Sequence, residues 1–308
     1  MMNIGNLELE NKLILAPLAN MLRLSLRLTY RKLGAAMTCV GVIDAKAVAA
    51  SKEKKIINLL GREEITNEEE RPVSIQLIGS EISEVVEAAK RIEKFASIID
   101  LNFSGPINRV IDKGQGAACL RNPGLITEMV GAVVENVSVP VTVKIRIGIQ
   151  GDDVDVLRIA KGCEAAGASA LIVHARTVSE RYAGQVHWEW IKRVKENVSI
   201  PVVGNGAVNS PFDAKAMFET TGCDFVMIGT SAIINPLIFY QTNQYLQTGT
   251  FTEMNETLAL LKFFREYRVF ARRIDSRGPL RFLRRSCGVF MKMRSFIKKI
   301  KAGTVTMD

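Results

Sequence analysis

Between residues 13 and 232 the chain alternates two patterns. Short runs of Val, Ile, Leu and Ala fall at 13–19, 36–43, 72–78, 97–103, 139–147, 170–176, 200–207 and 224–232. Most are continuous rather than alternating, as in parallel strands covered on both faces. Longer amphipathic stretches separate them. Over 81–95, Ile82, Val85, Val86, Ala89 and Ile92 share one helical face, with Lys, Arg and Glu opposite. Asn122-Pro123 and Ser210-Pro211 are N-cap and first-turn pairs, and predict helices running to 135 and over 212–219. Gly167 and Gly222 fall where helices should stop before the sixth and eighth strands. Eight strands with intervening helices predict an α/β chain folded as a (β/α)8 TIM barrel. A doubly wound open sheet is the alternative, weakened because no G-x-G-x-x-G follows the first strand.

The pattern changes past residue 240. Stretches 251–267 and 278–301 have helical spacing and no strand signal, with Arg277-Gly278-Pro279 as a break between them. The charge changes too. Residues 262–301 hold fourteen Lys or Arg and two acids, a net of +12, whereas the whole chain carries +9. The division expected is a barrel over 1–240 and a small basic helical domain over 241–308, suited to a polyanion such as RNA. The five cysteines are scattered and form no C-x-x-C, which argues against a disulfide framework or a structural zinc site. Cys39, Cys163 and Cys223 sit in apolar contexts and read as buried hydrophobes. The two histidines, His174 and His187, have no metal-ligand spacing around them, so no metal is expected. No apolar run approaches the ~20 residues that span a bilayer, and 1–12 has no apolar signal core. A cytoplasmic location without a membrane partner is the expectation.

In a barrel, chemistry belongs at the C-terminal ends of the strands. There the chain places residues suited to a flavin. Ala16, Pro17 and Leu18 end the first strand with little bulk, so a planar ring can approach the backbone. Gln76 supplies an amide able to donate and accept. Asn102 ends strand four. Lys144 brings a cation to where a reduced flavin gathers negative charge. His174 ends strand six. Gly204-Asn205-Gly206 and Gly229-Thr230 end strands seven and eight, where barrels commonly bind phosphate through backbone N–H groups.

Asp100-Leu101-Asn102-Phe103-Ser104-Gly105-Pro106, followed by Lys113-Gly114-Gln115-Gly116, resembles the signature loop of the tRNA-dihydrouridine synthases. That loop reads Asp-x-Asn-x-Gly-Cys-Pro in the family, and its cysteine is the proton donor. Further motifs follow in family order: Leu15-Ala16-Pro17, Ala45-Lys46-Ala47, Gln76-Leu77, Val143-Lys144-Ile145-Arg146, Val173-His174-x-Arg176-Thr177, Tyr182-x-Gly184-x-x-x-Trp188, Gly204-Asn205-Gly206 and Asn235-Pro236. The resemblance covers 13–240. It implies FMN, NADPH as electron source, reduction of the C5–C6 bond of a uridine in tRNA, and a helical C-terminal RNA-binding domain. By it, Gln76, Asn102, Lys144, His174, Asn205, Gly206 and Gly229 contact FMN, and Lys113, Arg176 and Tyr182 face the substrate. The chain departs from the family where it matters. Ser104 stands in place of the glycine, Gly105 in place of the acid cysteine, Gly41 in place of an acidic residue, Leu22-Arg23 in place of Thr-Asp, and Thr230 in place of Arg. Ser104 is the nearest hydroxyl and Cys119 the nearest thiol that could replace the donor. Three readings follow: a uridine reductase with a substitute acid, an FMN-dependent oxidoreductase of another substrate, and a non-catalytic tRNA-binding homologue.

Overall fold

The computed structural model describes residues 2–18, 23–60, 68–151 and 155–274. Eight parallel strands close a barrel in chain order. They are β1 (Leu13–Leu15), β2 (Met37–Asp44), β3 (Val73–Ile78), β4 (Ile98–Phe103), β5 (Val141–Arg146), β6 (Ala170–His174), β7 (Val202–Asn205) and β8 (Phe225–Ile228). β8 pairs back onto β1, with Ile228 beside Leu15. Each strand lies on one of the eight apolar runs, and closure excludes the open sheet. The expected helices form at Ile82–Ile92, Pro123–Val134 and Pro211–Thr221. Asn122 Oδ1 accepts from Leu125 N at 3.2 Å, and Ser210 Oγ from Asp213 N at 3.2 Å, so both N-caps satisfy donors that a helix end leaves free. Gly167 and Gly222 end their helices with φ of +91° and +67°.

Two elements depart from the apolar pattern. Strands Met2–Ile4 and Leu7–Leu9 form an antiparallel hairpin. Its Ile4 and Leu9 are buried with Ile14, Met37, Ile98 and Phe225, at the strands' N-terminal ends. The hairpin thus plugs the barrel floor, which otherwise opens to water. The helix Leu24–Lys32 carries its apolar side chains at 24, 26, 28 and 30, a spacing of two that suits a strand. It is helical because the surrounding structure buries every residue from 24 to 30, so no solvent face selects the period. Within it Arg27 pairs with Glu70, both almost wholly buried.

Past β8 the chain continues in helices Ile238–Thr248 and Glu256–Ile274. The second replaces the expected 251–267. Asn255 Oδ1 accepts from Leu258 N at 2.9 Å and sets the start. Its buried face, Phe263, Phe264, Tyr267 and Ala271, joins the same core as the barrel helices. Phe263 lies 5.2 Å from the Tyr30 ring, and Tyr30 donates through its hydroxyl to Ala232 O at 2.8 Å. The opposite face exposes Arg265 and Arg272. The expected helix over 278–301, Cys287 and the rest of the basic run lie outside the described residues. Among the described residues no helix is long and apolar enough to cross a membrane.

Phe263 is fully buried between this helix and Tyr30. Phe263→Ala should therefore cost about 3–5 kcal/mol, read as a lower denaturant midpoint at constant m-value. An unchanged midpoint would mean that the helix does not pack on the barrel in solution.

Candidate active site at the mouth of the barrel

Above the apolar floor the barrel interior turns polar. Because side chains alternate along a strand, Asp100 and Asn102 face inward together, as do Thr142, Lys144 and Arg146. Register sets them side by side: Gln76 beside Asp100, Asp100 beside Thr142, Asn102 beside Lys144. The outcome is a continuous hydrogen-bonded chain. Thr142 Oγ1 donates to Asp100 Oδ1 at 2.7 Å, and Gln76 Nε2 donates to Asp100 Oδ2 at 2.6 Å. Asn102 Nδ2 donates to Gln76 Oε1 at 2.6 Å. Asn102 Oδ1 in turn accepts from Ser104 N at 2.8 Å, Gly105 N at 3.0 Å and Ser104 Oγ at 3.2 Å.

A second chain crosses the opposite wall. Asn205 Nδ2 donates to Met227 O at 2.9 Å, which turns its Oδ1 to receive Lys144 Nζ at 3.0 Å. Burial pulls the Lys144 ammonium below its usual pKa, Arg146 adds to the fall, and Asp100 opposes it. Burial pushes the Asp100 carboxyl up, against the hydrogen bonds from Gln76 and Thr142. Burial, helped by the charges of Lys144, Arg146 and Arg176, holds His174 well below the usual histidine value, so it is neutral at physiological pH. Gly206 has φ +122°, and a Cβ there would stand 3.2 Å from His174 Cδ2. Only glycine lets this turn lie on the imidazole. On the β1–β8 side Ala16 N donates to Ile228 O at 2.9 Å. A Cβ on Gly229 would meet Ala16 Cβ at 3.5 Å and Leu18 Cδ2 at 3.9 Å, so this corner stays small. Pro17 is half-buried there and Thr230 is exposed.

The rim is organised by Arg146, which is buried at the end of β5. Its Nε donates to Ser104 O at 2.8 Å, and its Nη1 to Thr177 O and Arg181 O, each at 2.8 Å. Burial lowers its pKa to about 10, so it stays cationic at neutral pH. One guanidinium thereby ties the turn after β4 to the loop after β6. That loop is further strapped: Arg176 Nε donates to Gly184 O at 2.8 Å, and Glu180 Oε2 accepts from Thr177 N at 2.7 Å and Thr177 Oγ1 at 2.9 Å. Glu180 Oε1 meets His187 Nε2 at 2.8 Å. Tyr182 stands exposed over this assembly, its ring 5.4 Å from Arg146 and 6.3 Å from His174.

Gln76, Asn102, Lys144, His174, Asn205 and Gly206 thus converge on one mouth, with Arg176 and Tyr182 on its rim. Lys113 is exposed and sits 4.0 Å from Asp44 Oδ2. Ser104 is buried with its hydroxyl on Asn102. Cys119 is buried too, its thiol donating to Gly114 O at 3.3 Å, and burial pushes its pKa up to about 11. Asp100, Arg146, Glu180 and His187 belong to the site although the motifs alone give them no role. The first two carry a signal in the sequence, each lying two positions from a candidate on the same strand face; the last pair carries none.

The wall offers donors. Among the described residues no acceptor takes the remaining N–H groups of Gln76, Asn102 and Lys144, all three buried side chains, whereas Asn102 Oδ1 is saturated and Asn205 Oδ1 is taken. Such a surface suits a planar ring edged with acceptors, and the small corner of Ala16 and Gly229 admits its face. The pyrimidine edge of a flavin has this character, so the residues fit FMN.

Comparison with known proteins adds to the geometry. The profile of the dihydrouridine synthase (Dus) family matches residues 14–287. The tRNA-dihydrouridine synthase B of Pseudomonas aeruginosa is 39% identical over 247 residues, covering 80% of this chain and 73% of that protein. A probable tRNA-dihydrouridine synthase of Rickettsia bellii is 35% identical over 250 residues, covering 81% and 76%. Among solved structures, a 2-naphthoyl-CoA reductase complex superposes with a TM-score of 0.59 at 13% identity, over 81% of this chain and 52% of that one. The 6-hydroxypseudooxynicotine amine oxidase of Pseudomonas geniculata N1 gives 0.60 at 13%, over 86% and 52%. The chain spans about half the length of these two structures, and the likeness to them is one of fold.

Two outcomes follow from the site. Gly206→Ala forces a Cβ into a left-handed conformation against His174 and should cost about 1–3 kcal/mol, read as a lower melting temperature; an unaffected melting point would contradict this turn. The His187–Glu180 contact should make the loop after β6 sensitive to pH. The hydrogen bond to Glu180 raises the His187 pKa, helped by Glu189. Its contribution is present below the unfolded value of about 6.5 and fades as pH rises through the folded one. For Glu180, partial burial opposes ionisation, but hydrogen bonds from His187 and Thr177 win and lower its pKa. Its contribution is present above about 4.3 and fades as pH falls through the folded value. Amide-exchange protection around residues 178–186, taken relative to the intrinsic exchange rate at each pH, should then be highest between those limits and fall on either side. His187→Gln should remove the alkaline limb.

Proposed function

Since the chain belongs to the dihydrouridine synthase family, we propose that it acts on uridine in tRNA, reducing the C5–C6 bond with FMN at the barrel mouth and NADPH as electron source. The observation that carries this reading is the donor-lined wall of Gln76, Asn102 and Lys144. Bound flavin supplies a hydride. Uracil is a conjugated enone, so that hydride belongs on C6 and C5 must receive a proton. The chain's own residues do the rest. Gln76, Asn102 and Lys144 would meet the acceptor edge of the cofactor. Ala16, Pro17 and Leu18 would admit its face, and Asn205, Gly206, Gly229 and Thr230 would receive its phosphate end beside neutral His174. Lys113, Arg176 and Tyr182 hold the uracil and neighbouring phosphates at the rim. A base inside folded tRNA must first leave its stack, at a cost of a few kcal/mol. The exposed Arg265 and Arg272, with the basic run through 301, serve the tRNA backbone, making 241–308 an RNA-binding unit of a cytoplasmic protein.

Among the described residues, neither candidate for the C5 proton is free to give it. Gly105 holds the position of the family cysteine. The Ser104 hydroxyl already donates to Asn102, and the Cys119 thiol faces Gly114 with a raised pKa. General acid catalysis contributes about 10²–10⁴-fold, so turnover should be slow. The same observation supports a second reading, a tRNA-binding homologue that does not turn over.

Gly105 has room for the missing side chain. A Cβ there would meet Asn102 Oδ1 and Ile78 Cδ1 at 3.7 Å and Val110 Cγ1 at 4.0 Å, all ordinary contacts. Gly105→Cys should raise dihydrouridine formation from unmodified tRNA, with FMN and NADPH, by about 10²–10⁴-fold over the parent. Gain without loss of stability supports the synthase reading. NADPH oxidation that neither needs tRNA nor responds to the substitution would point to another acceptor. A protein that binds tRNA with steep salt dependence yet takes up no FMN would favour the non-catalytic homologue.

A further inference from the structure

Asp100 is not among the residues that meet cofactor or substrate, yet both amides of the wall depend on it. It is fully buried in the barrel interior. An ionised carboxylate offers acceptors only, so Gln76 must turn its NH2 toward Asp100 Oδ2, where it sits at 2.6 Å. The Gln76 carbonyl is then left for Asn102, whose NH2 meets it at 2.6 Å. Asn102 Oδ1 is thereby turned to the backbone N–H groups of Ser104 and Gly105, at 2.8 and 3.0 Å. Every bond in the chain points the same way, from the turn after β4 down to the carboxylate. Aligned hydrogen bonds of this kind polarise one another. Thr142 Oγ1 occupies the other carboxylate oxygen at 2.7 Å, which prevents Asp100 from rotating away.

We propose that Asp100 is a positioning residue. It sets the orientation of Gln76 and, through Gln76, of Asn102, so that both present N–H donors to the ligand and the 104–105 turn is held in place. The inference rests on the reading of this mouth as a flavin site, but its mechanism lies wholly in the protein. Without the carboxylate, Gln76 loses its acceptor in a buried site. An amide at position 100 keeps one acceptor oxygen, and Thr142 can rotate its hydroxyl to accept from the new NH2.

The test compares Asp100→Ala, Asp100→Asn, Gln76→Ala and the Gln76→Ala/Asp100→Ala double variant, with FMN as the titrant followed by flavin fluorescence quenching. Asp100→Ala should weaken FMN binding by about ten- to a hundredfold, the effect of stranding a buried donor. Asp100→Asn should recover most of that loss. The double variant should bind no worse than Gln76→Ala alone, because Asp100 acts through Gln76. Additive losses, or an Asn variant as weak as the Ala variant, overturn the proposal. If Asp100→Ala does not fold, the flavin-free 15N spectrum of Asp100→Asn decides. The side-chain amide signals of both Gln76 and Asn102 should move, and a change confined to Gln76 overturns the relay. A parent protein that takes up no FMN would sink the flavin reading, while that spectrum still decides the role of Asp100.

Discussion

A closed parallel barrel turns every second side chain inward, where it can meet only the inward side chains of other strands. This chain meets that constraint with two unlike layers. Near the strands' N-terminal ends the interior is apolar, and Ile4 and Leu9 of the terminal hairpin complete it from below. Toward the C-terminal ends it becomes a network of amides and charges. Buried charge is tolerable only when it is paired and hydrogen-bonded. Asp100 meets that demand through Gln76 and Thr142, and Lys144 through Asn205 with Asp100 nearby. The same bonds that make burial bearable fix which atoms face the mouth. The donor character of the site is therefore a consequence of barrel closure, not an added feature.

The turn after β4 is held by its backbone. Ser104 N and Gly105 N donate to Asn102, and Ser104 O accepts from Arg146. None of these contacts uses a side chain at 105. The loop after β6 is fastened to the same guanidinium through Thr177 O and Arg181 O. Arg146 thus keeps the two sides of the mouth in register.

Much of this was legible along the chain. Continuous apolar runs separated by amphipathic stretches specify a parallel sheet with helices on its outer face, because a strand buried on both sides has no polar face to alternate. Asn122, Ser210, Gly167 and Gly222 announce helix ends through local chemistry, and all four act so. The inward direction of Lys144 follows from its apolar neighbours Val143 and Ile145. The terminal hairpin and the helix Leu24–Lys32 were not legible in this way. The hairpin is stabilised by a floor that exists only after the barrel closes, and the helix has no solvent face to impose its period.

The roles of Asp100, Arg146, Glu180 and His187 divide along the same line. Period, cap chemistry and charge runs are interactions between near neighbours, so the amino-acid sequence by itself determined the eight strands, three of the helices between them, the likeness to a flavin-binding family and the basic C-terminal bias. Which amide faces which, and what a buried carboxylate meets, depends on residues 24 to 61 positions apart in the chain. Only the closed barrel brings those residues within hydrogen-bond reach, and so only the tertiary structure decided the polarity of the site.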